Sequence, residues 1–510
     1  MKKFKSSILS YVYKITLKVK SSMRLCSMST YKHINIFPVS LLLSYHRATA
    51  VALLLYILHL TSYTTLYAHV NKIQQVNKIQ FDNGFVLIHF EKKNIGLVNI
   101  NLFIKGGAVV ETDDEAGVTN FTLQLLIKGT SNRTSEKIAN DSEMFGATIS
   151  AGCSNDFSEV SMIVPSNNFI PAFDIFADIV NNPTFPEKEF EKEKIKIIAA
   201  IKSKADHIFN VAYDYFNELI FKNHPYHKPI EGYETTISSL TVSQILDNYK
   251  KHFKTTNMVL CVVGDSNFET TKKLVEKYFV VSDFSATADI FNAQQSDTDY
   301  SDKDIATSDM KYHQENYRQN LPLKSLSSYT ESVRKIYVGK FQQSYIFSGF
   351  LAPDINQKEY STLKVINVIL GGGMGSRLFD VLREKSGLVY EGASFYPSKK
   401  ETSDFMLYAG TSKKNIETTE KIFIDEIKKL SEISNDELKN AKEYLKGTYL
   451  LDHRTIQRQS WYLGWWETMD RGYEYDQKYL EEINDVTISD IKNVCKKYFN
   501  QKKFITVILR

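Results

Sequence analysis

The sequence predicts an α+β fold made by tandem duplication: two homologous halves, each a mostly antiparallel sheet packed against helices, facing each other across a cleft. Three observations predict it. LTVSQILDNYKKHFKTTNMVLCVVG at 240–264 returns as VTISDIKNVCKKYFNQKKFITVILR at 486–510, and Thr241, Ser243, Ile245, Lys250, Lys251 and Phe253 each find an identical residue 246 positions on. Self-similarity at one long offset marks a repeated structural unit. The strand-like runs GFVLIHF (84–90) and VNINLFIKGG (98–107) come before the helically spaced segments 169–180 and 190–221. Strands followed by helices argue for sheet-on-helix layers. Between the copies, residues 281–334 include SDTDYSDKDIATSDMKYHQENYRQN, polar and without apolar periodicity, which is linker composition.

These readings divide the chain into a leader (1–68), an N-terminal half (76–280), the linker (281–334) and a C-terminal half (335–510). Each repeated segment reads as a capped amphipathic helix, with Ser243 or Ser489 near its start, followed by a β-branched strand. The leader is basic. Residues 1–81 hold eleven Lys or Arg and no Asp or Glu, so the formal charge of +4 on 510 residues is a property of that end. Without residues 1–68 the chain carries 54 basic against 59 acidic residues, net −5, and no nucleic-acid footprint remains. Ala48 to Leu60 is a thirteen-residue apolar run after Arg47, and Leu66-Tyr67-Ala68 offers a small residue for cleavage, the anatomy of a signal peptide. As a helix the run rises ~20 Å against a bilayer core of ~30 Å. The expectation is export, to a periplasm. An uncleaved leader would leave the chain anchored, its sole contact with a membrane, and an acid-free mitochondrial presequence is the remaining alternative. Cys153, Cys261 and Cys495 are isolated, which excludes a disulfide framework and a zinc ribbon.

EAGVTNFTLQLLIKGT at 115–130 has the frame of an inverted zinc motif. In H-x-x-E-H on a helix, the two His share one face as ligands and the Glu is general base for the attacking water. Here Asn120 and Gln124 stand at the His positions and Leu123 at the Glu. Amides are poor zinc ligands and Leu accepts no proton. The two amides are expected to hydrogen-bond across the old cleft. HPYH at 224–227, with His207, supplies an alternative ligand set, but no carboxylate is placed to complete it. GGGMGSR at 371–377 lacks the Lys of a phosphate loop and follows a helical run where such loops need a strand. In REKSGLVY, Gly387 reads as a helix C-cap between Arg383 and Tyr390. Arg383 could complement the helix end and Tyr390 could be a core aromatic. Trp461, Trp465 and Trp466 lie in one short stretch, read either as core packing or as a wall for a peptide or partner.

The flanks Gly117, Phe121 and Lys128-Gly129-Thr130, the turn HPYHKPIEG and the long run LGGGMGSRLFDVLREKSGLVY at 370–390 resemble the pitrilysin/insulinase family of zinc metallopeptidases over about residues 76–510, most closely the branch of processing peptidases and their bacterial relatives. The resemblance implies a third zinc ligand at the second Glu of E-x6-E. Glu193 fits the first Glu and Ala200 occupies the second. All three ligand positions and the base are then vacant, and this chain is expected to hold no metal. The resemblance further implies that Arg383 and Tyr390 point at a bound peptide and polarise its carbonyl. In two-component bacterial members one chain carries H-x-x-E-H and another the Arg/Tyr pair. The expected function is a non-catalytic, substrate-binding subunit of a heteromeric zinc peptidase, with zinc in an H-x-x-E-H partner and peptides as substrates. The alternatives are a peptide-binding or structural scaffold and, last, an active zinc endopeptidase.

Overall fold

A computed structural model describes residues 76–281, 331–499 and 503–510. The leader and nearly all of the linker lie outside the described residues. In the N-terminal half, strands β1 (Val76–Gln80), β2 (Val86–Glu91), β3 (Leu97–Lys105), β4 (Thr148–Cys153), β5 (Phe157–Pro165) and β6 (Met258–Gly264) form one sheet in the order β1-β2-β6-β3-β5-β4. Only β2 and β6 run parallel. In the C-terminal half, β7 (Val333–Tyr337), β8 (Ser344–Ala352), β9 (Val389–Phe395), β10 (Ser403–Thr411) and β11 (Ile505–Leu509) follow the order β7-β11-β8-β10-β9, again with one parallel pair, β7 with β11. Set β1 aside and the two orders correspond strand for strand. The duplication read from one helix and one strand therefore extends through both sheets. β7 begins at Val333, inside the last residues assigned to the linker.

The repeated strands β6 and β11 are buried at every position, as unbroken β-branched runs require. Their preceding helices, Val242–His252 and Ile488–Tyr498, are N-capped by Thr241 and Thr487. Each threonine closes a capping box, with Gln244 or Asp490 as its partner. The cap thus falls two residues before the serines expected from the sequence. The remaining helices of the N-terminal half are α1 (Val118–Leu126), α2 (Ser135–Met144), α3 (Phe169–Asn181), α4 (Glu187–Lys204), α5 (Ile208–Ile220) and α6 (Glu234–Ser239), then α7 (Val242–His252) and α8 (Phe268–Val275). The C-terminal half carries α9 (Tyr360–Gly371), α10 (Ile416–Lys428), α11 (Asn435–Asp452), α12 (Ile456–Thr468), α13 (Tyr475–Asp485) and α14 (Ile488–Tyr498). Among the described residues no helix is long and apolar enough to cross a membrane.

The helical stretch 190–221 divides at Ala205–His207 into α4 and α5, and the two go to different places. α5 crosses to the other half and covers β8 and β11. Its Phe216, fully buried, packs with Phe347, Ile505 and Val507. α12 makes the reverse crossing and lies on β3 and β6. There a Cβ on Gly464 would stand 2.5 Å from Phe103 Cε2 and 3.1 Å from Cys261 Cβ, so only glycine allows the helix this close. Asn99 donates to Ser460 Oγ at 2.5 Å, and Trp461 Nε1 donates to Glu159 Oε2 at 3.0 Å. α5 and α12 are equivalent elements, each of 13 residues and each preceded by a helix of 18. The halves exchange matching helices. Their contact is direct and combines apolar packing with hydrogen bonds: Trp461 meets Phe103 and Phe157 of the other half and Trp465 and Trp466 are buried, which decides the tryptophan cluster in favour of packing.

Candidate functional site

α1 starts without a side-chain cap, because its N-cap is Gly117 in the left-handed region at φ 93°. Glu111, six residues upstream and buried, supplies the missing acceptor: its carboxylate takes N–H bonds from Gly117 at 2.9 Å and Thr119 at 2.8 Å. Burial pushes that carboxyl up to about 7. Its folded value lies above the ordinary 4.5, so its contribution to stability is complete below pH 4.5 and is lost as pH rises through about 7. Glu111→Ala leaves two buried donors unpaired and is expected to cost about 2–4 kcal/mol, read as a lower urea midpoint. Glu111→Gln keeps an acceptor, costs less, and removes the pH dependence of stability between those values. An equal loss for both variants would show that the acceptor is not what matters.

Helix geometry puts Asn120 and Gln124 on one face of α1, each half-buried, and among the described residues neither side chain forms a hydrogen bond. The expected bonds across the old cleft are not made. Leu123 is fully buried in the core of the half, where it packs and can accept no proton. α4 lies against α1, with Phe121 and Phe190 stacked at 4.9 Å. On α4, Glu193 is buried and accepts from Lys196 at 2.7 Å with Lys128 Nζ at 3.4 Å, whereas Ala200 is exposed. A zinc ion does not fit this donor set: two amides, an isobutyl group and a methyl offer neither imidazole nor carboxylate. Among the described residues no group of three or more His, Cys, Asp or Glu could hold a metal.

The histidines of HPYH have other work. His224 Nε2 lies 2.8 Å from Glu401 Oε2 of the C-terminal half, and its Nδ1 accepts from Tyr226 N–H at 3.2 Å. Tyr226 OH donates to Asp156, whose other oxygen accepts from Lys400 N–H at 3.1 Å. His227 Nδ1 lies 2.8 Å from His224 O, and His207 is exposed at the start of α5. The turn is a clasp between the halves.

Arg383 and Tyr390 flank the turn between a π-helical segment, Phe379–Lys385, and β9. Gly387 takes the left-handed region at φ 56°, and its N–H bonds to Arg383 O at 3.1 Å while Leu388 N–H bonds to Leu382 O at 2.9 Å, closing the helix. Arg383 is exposed with its guanidinium 5.2 Å from the Phe379 ring centroid. The ladder between β9 and β10 pairs Glu391 with Gly410 and Val389 with Thr411, so Tyr390 is an extra residue with no opposite number. It sits at a bulge. A bulge re-aims the side chain that it carries, and Tyr390 is 65% exposed. It is no core aromatic.

Residues 87–234 match the family model described as "Insulinase (Peptidase family M16)", and residues 239–445 match "Peptidase M16 inactive domain". Together they span more than half of the chain, the second beginning within the N-terminal half and running on into the C-terminal half. The chain belongs to peptidase family M16, the insulinase family. An uncharacterized zinc protease of Rickettsia felis is 26% identical over 430 residues, 84% of this chain and 96% of that one. Subunit 1 of the mitochondrial cytochrome b-c1 complex of Bos taurus is 24% identical over 227 residues, 44% of this chain and 47% of that one. The crystal structure of a protease from Helicobacter pylori superposes with a TM-score of 0.74 at 18% identity, covering 86% and 99% of the two chains, a likeness of fold. In this M16 member Asn120 and Gln124 lie on α1 and Ala200 on α4. Sequence reading missed Glu111, Asp156 and Glu401. Glu111 is one of four acids in ETDDE ahead of α1, with nothing local to single it out, and Asp156 and Glu401 meet partners far along the chain.

Proposed function

We propose that this M16 chain is the non-catalytic, peptide-binding subunit of a heteromeric zinc peptidase, exported with its partner and assisting an H-x-x-E-H homologue that carries the zinc. The observation that carries the reading is the pairing of an intact α1/α4 frame with a donor set unable to hold zinc, Leu123 being committed to the core. Arg383 and Tyr390 support it, because an exposed guanidinium and a bulge-mounted phenol are free to donate to a peptide carbonyl. A scaffold reading draws on the likeness to a subunit of the cytochrome b-c1 complex. The test is to purify the chain alone and co-expressed with an H-x-x-E-H homologue, then to measure zinc and cleavage of an unstructured peptide. Alone, it is expected to hold no stoichiometric zinc and to cleave nothing. Together, a complex with one zinc and activity above that of the homologue alone is expected. One zinc bound by the single chain, or a complex no more active than the homologue by itself, overturns the reading.

A further inference from the structure

At the end of the N-terminal sheet away from Glu111, β2 stops at Glu91 and β3 begins at Leu97. The turn between them crosses the end of β6, where Lys92 N–H bonds to Gly264 O at 2.7 Å. Asp265 fixes this turn. One of its carboxylate oxygens accepts from Asn94 N–H at 3.1 Å and Gly96 N–H at 3.4 Å, and its own N–H bonds to Leu97 O at 2.9 Å. What the fixed turn holds out is apolar: Ile95 is 42% exposed and Leu97 36%.

Two more exposed apolar side chains come to the same end. Leu97 pairs with Pro165 of β5, Ser166 N–H bonds to Gly96 O at 3.0 Å, and Asn168 Nδ2 donates to Phe145 O at 3.0 Å. These contacts bring in Ile170, 57% exposed at the start of α3, and Met144, 68% exposed at the end of α2. Exposed apolar side chains gathered on one surface mark a place of contact. The contact is indicated by where the leader joins. In the β1–β2 ladder Val76 pairs with Phe90, so the chain enters β1 beside the 92–97 turn. Fifteen residues, 61–75, separate Val76 from the apolar run 48–60, a reach of up to about 50 Å.

We propose that the end formed by Ile95, Leu97, Met144 and Ile170 rests on a lipid bilayer, with these side chains among the headgroups and the first carbons of the acyl chains. The proposal takes the uncleaved reading of the leader and goes beyond it, because the folded N-terminal half becomes a second membrane contact. A leader held in the bilayer brings this end to the lipid first. Lysines and acids are mixed around the patch, Lys92 and Lys93 with Glu91 and Glu143, so apolar burial carries the contact and anionic lipid is not required. The inference is independent of the peptidase reading. It does set an orientation: β3 runs nine residues from Leu97 to Lys105, about 30 Å, and Glu111 and α1 follow it, so the start of α1 is held off the membrane.

The test is amide hydrogen exchange on the full chain, with and without phosphatidylcholine vesicles. Exchange within 92–97 and 166–170 is expected to slow about tenfold on adding vesicles, at low and at high salt alike, with 111–126 unchanged. Ile95→Glu combined with Ile170→Glu puts charge into the contact at two exposed positions, and is expected to abolish the slowing while exchange in β3 and β5 stays as it was. Exchange on the unaltered chain decides the matter even if the double variant fails to fold. A chain bound to vesicles with 92–97 and 166–170 unchanged shows that the leader alone makes contact, and overturns the proposal. So does a chain that does not bind vesicles, or slowing that survives in the double variant. Segments already slow before vesicles are added assign the patch to the leader or to a second copy, and overturn it as well.

Discussion

Arg383→Ala and Tyr390→Phe are each expected to lower the turnover of a catalytic partner by about 10²- to 10³-fold, or about 2.7–4 kcal/mol, while zinc content and assembly stay unchanged. The loss should fall on kcat more than on KM, because donors aimed at the carbonyl oxygen matter most when charge develops there. The structure makes this a clean test. Arg383 is exposed and Tyr390 stands on a bulge at the end of a ladder, so neither substitution removes a packed side chain or a buried hydrogen bond. Normal turnover in an intact complex would remove the assisting role and favour the scaffold. Loss of folding in Tyr390→Phe would show that the phenol has a structural partner.

Phe216→Ala is expected to destabilise the whole chain by about 3–5 kcal/mol, in one transition. Phe216 belongs by sequence to the N-terminal half, but it is buried against Phe347 and Ile505 of the other sheet. A Cβ on Gly349 would lie 3.1 Å from its ring, so the cavity left by truncation opens onto a backbone already held in a β-ladder and unable to collapse. Urea unfolding followed by tryptophan fluorescence, which reports on α12, should shift together with circular dichroism. Two separated transitions would mean that the halves are stable without each other.

The repeat was legible because its parts are local: a threonine cap, an amphipathic helix and a fully buried strand each leave a pattern within a few residues. The helix at 118–126 was legible for the same reason, since Asn120, Leu123 and Gln124 lie on one short amphipathic segment. What the sequence hid is set by partners far away in the chain. KSKADHIF contains no Gly or Pro, and the break between α4 and α5 comes from where α5 packs. Tyr390 sits on a bulge only because of the register adopted by β10. Asn120 and Gln124 have amides that suit hydrogen bonds, yet what faces them was not written in their own segment.

The traded helices also bear on how this chain can associate. A duplicated unit with a pseudo-two-fold relation would, as separate copies, form an isologous pair through the faces that α5 and α12 now cover. Within one chain that self-complementary contact is already consumed, with Gly464 against Phe103 on one side and Phe216 against Phe347 on the other. Any sibling subunit must therefore dock on a different surface. Partner choice can then change without disturbing the interior.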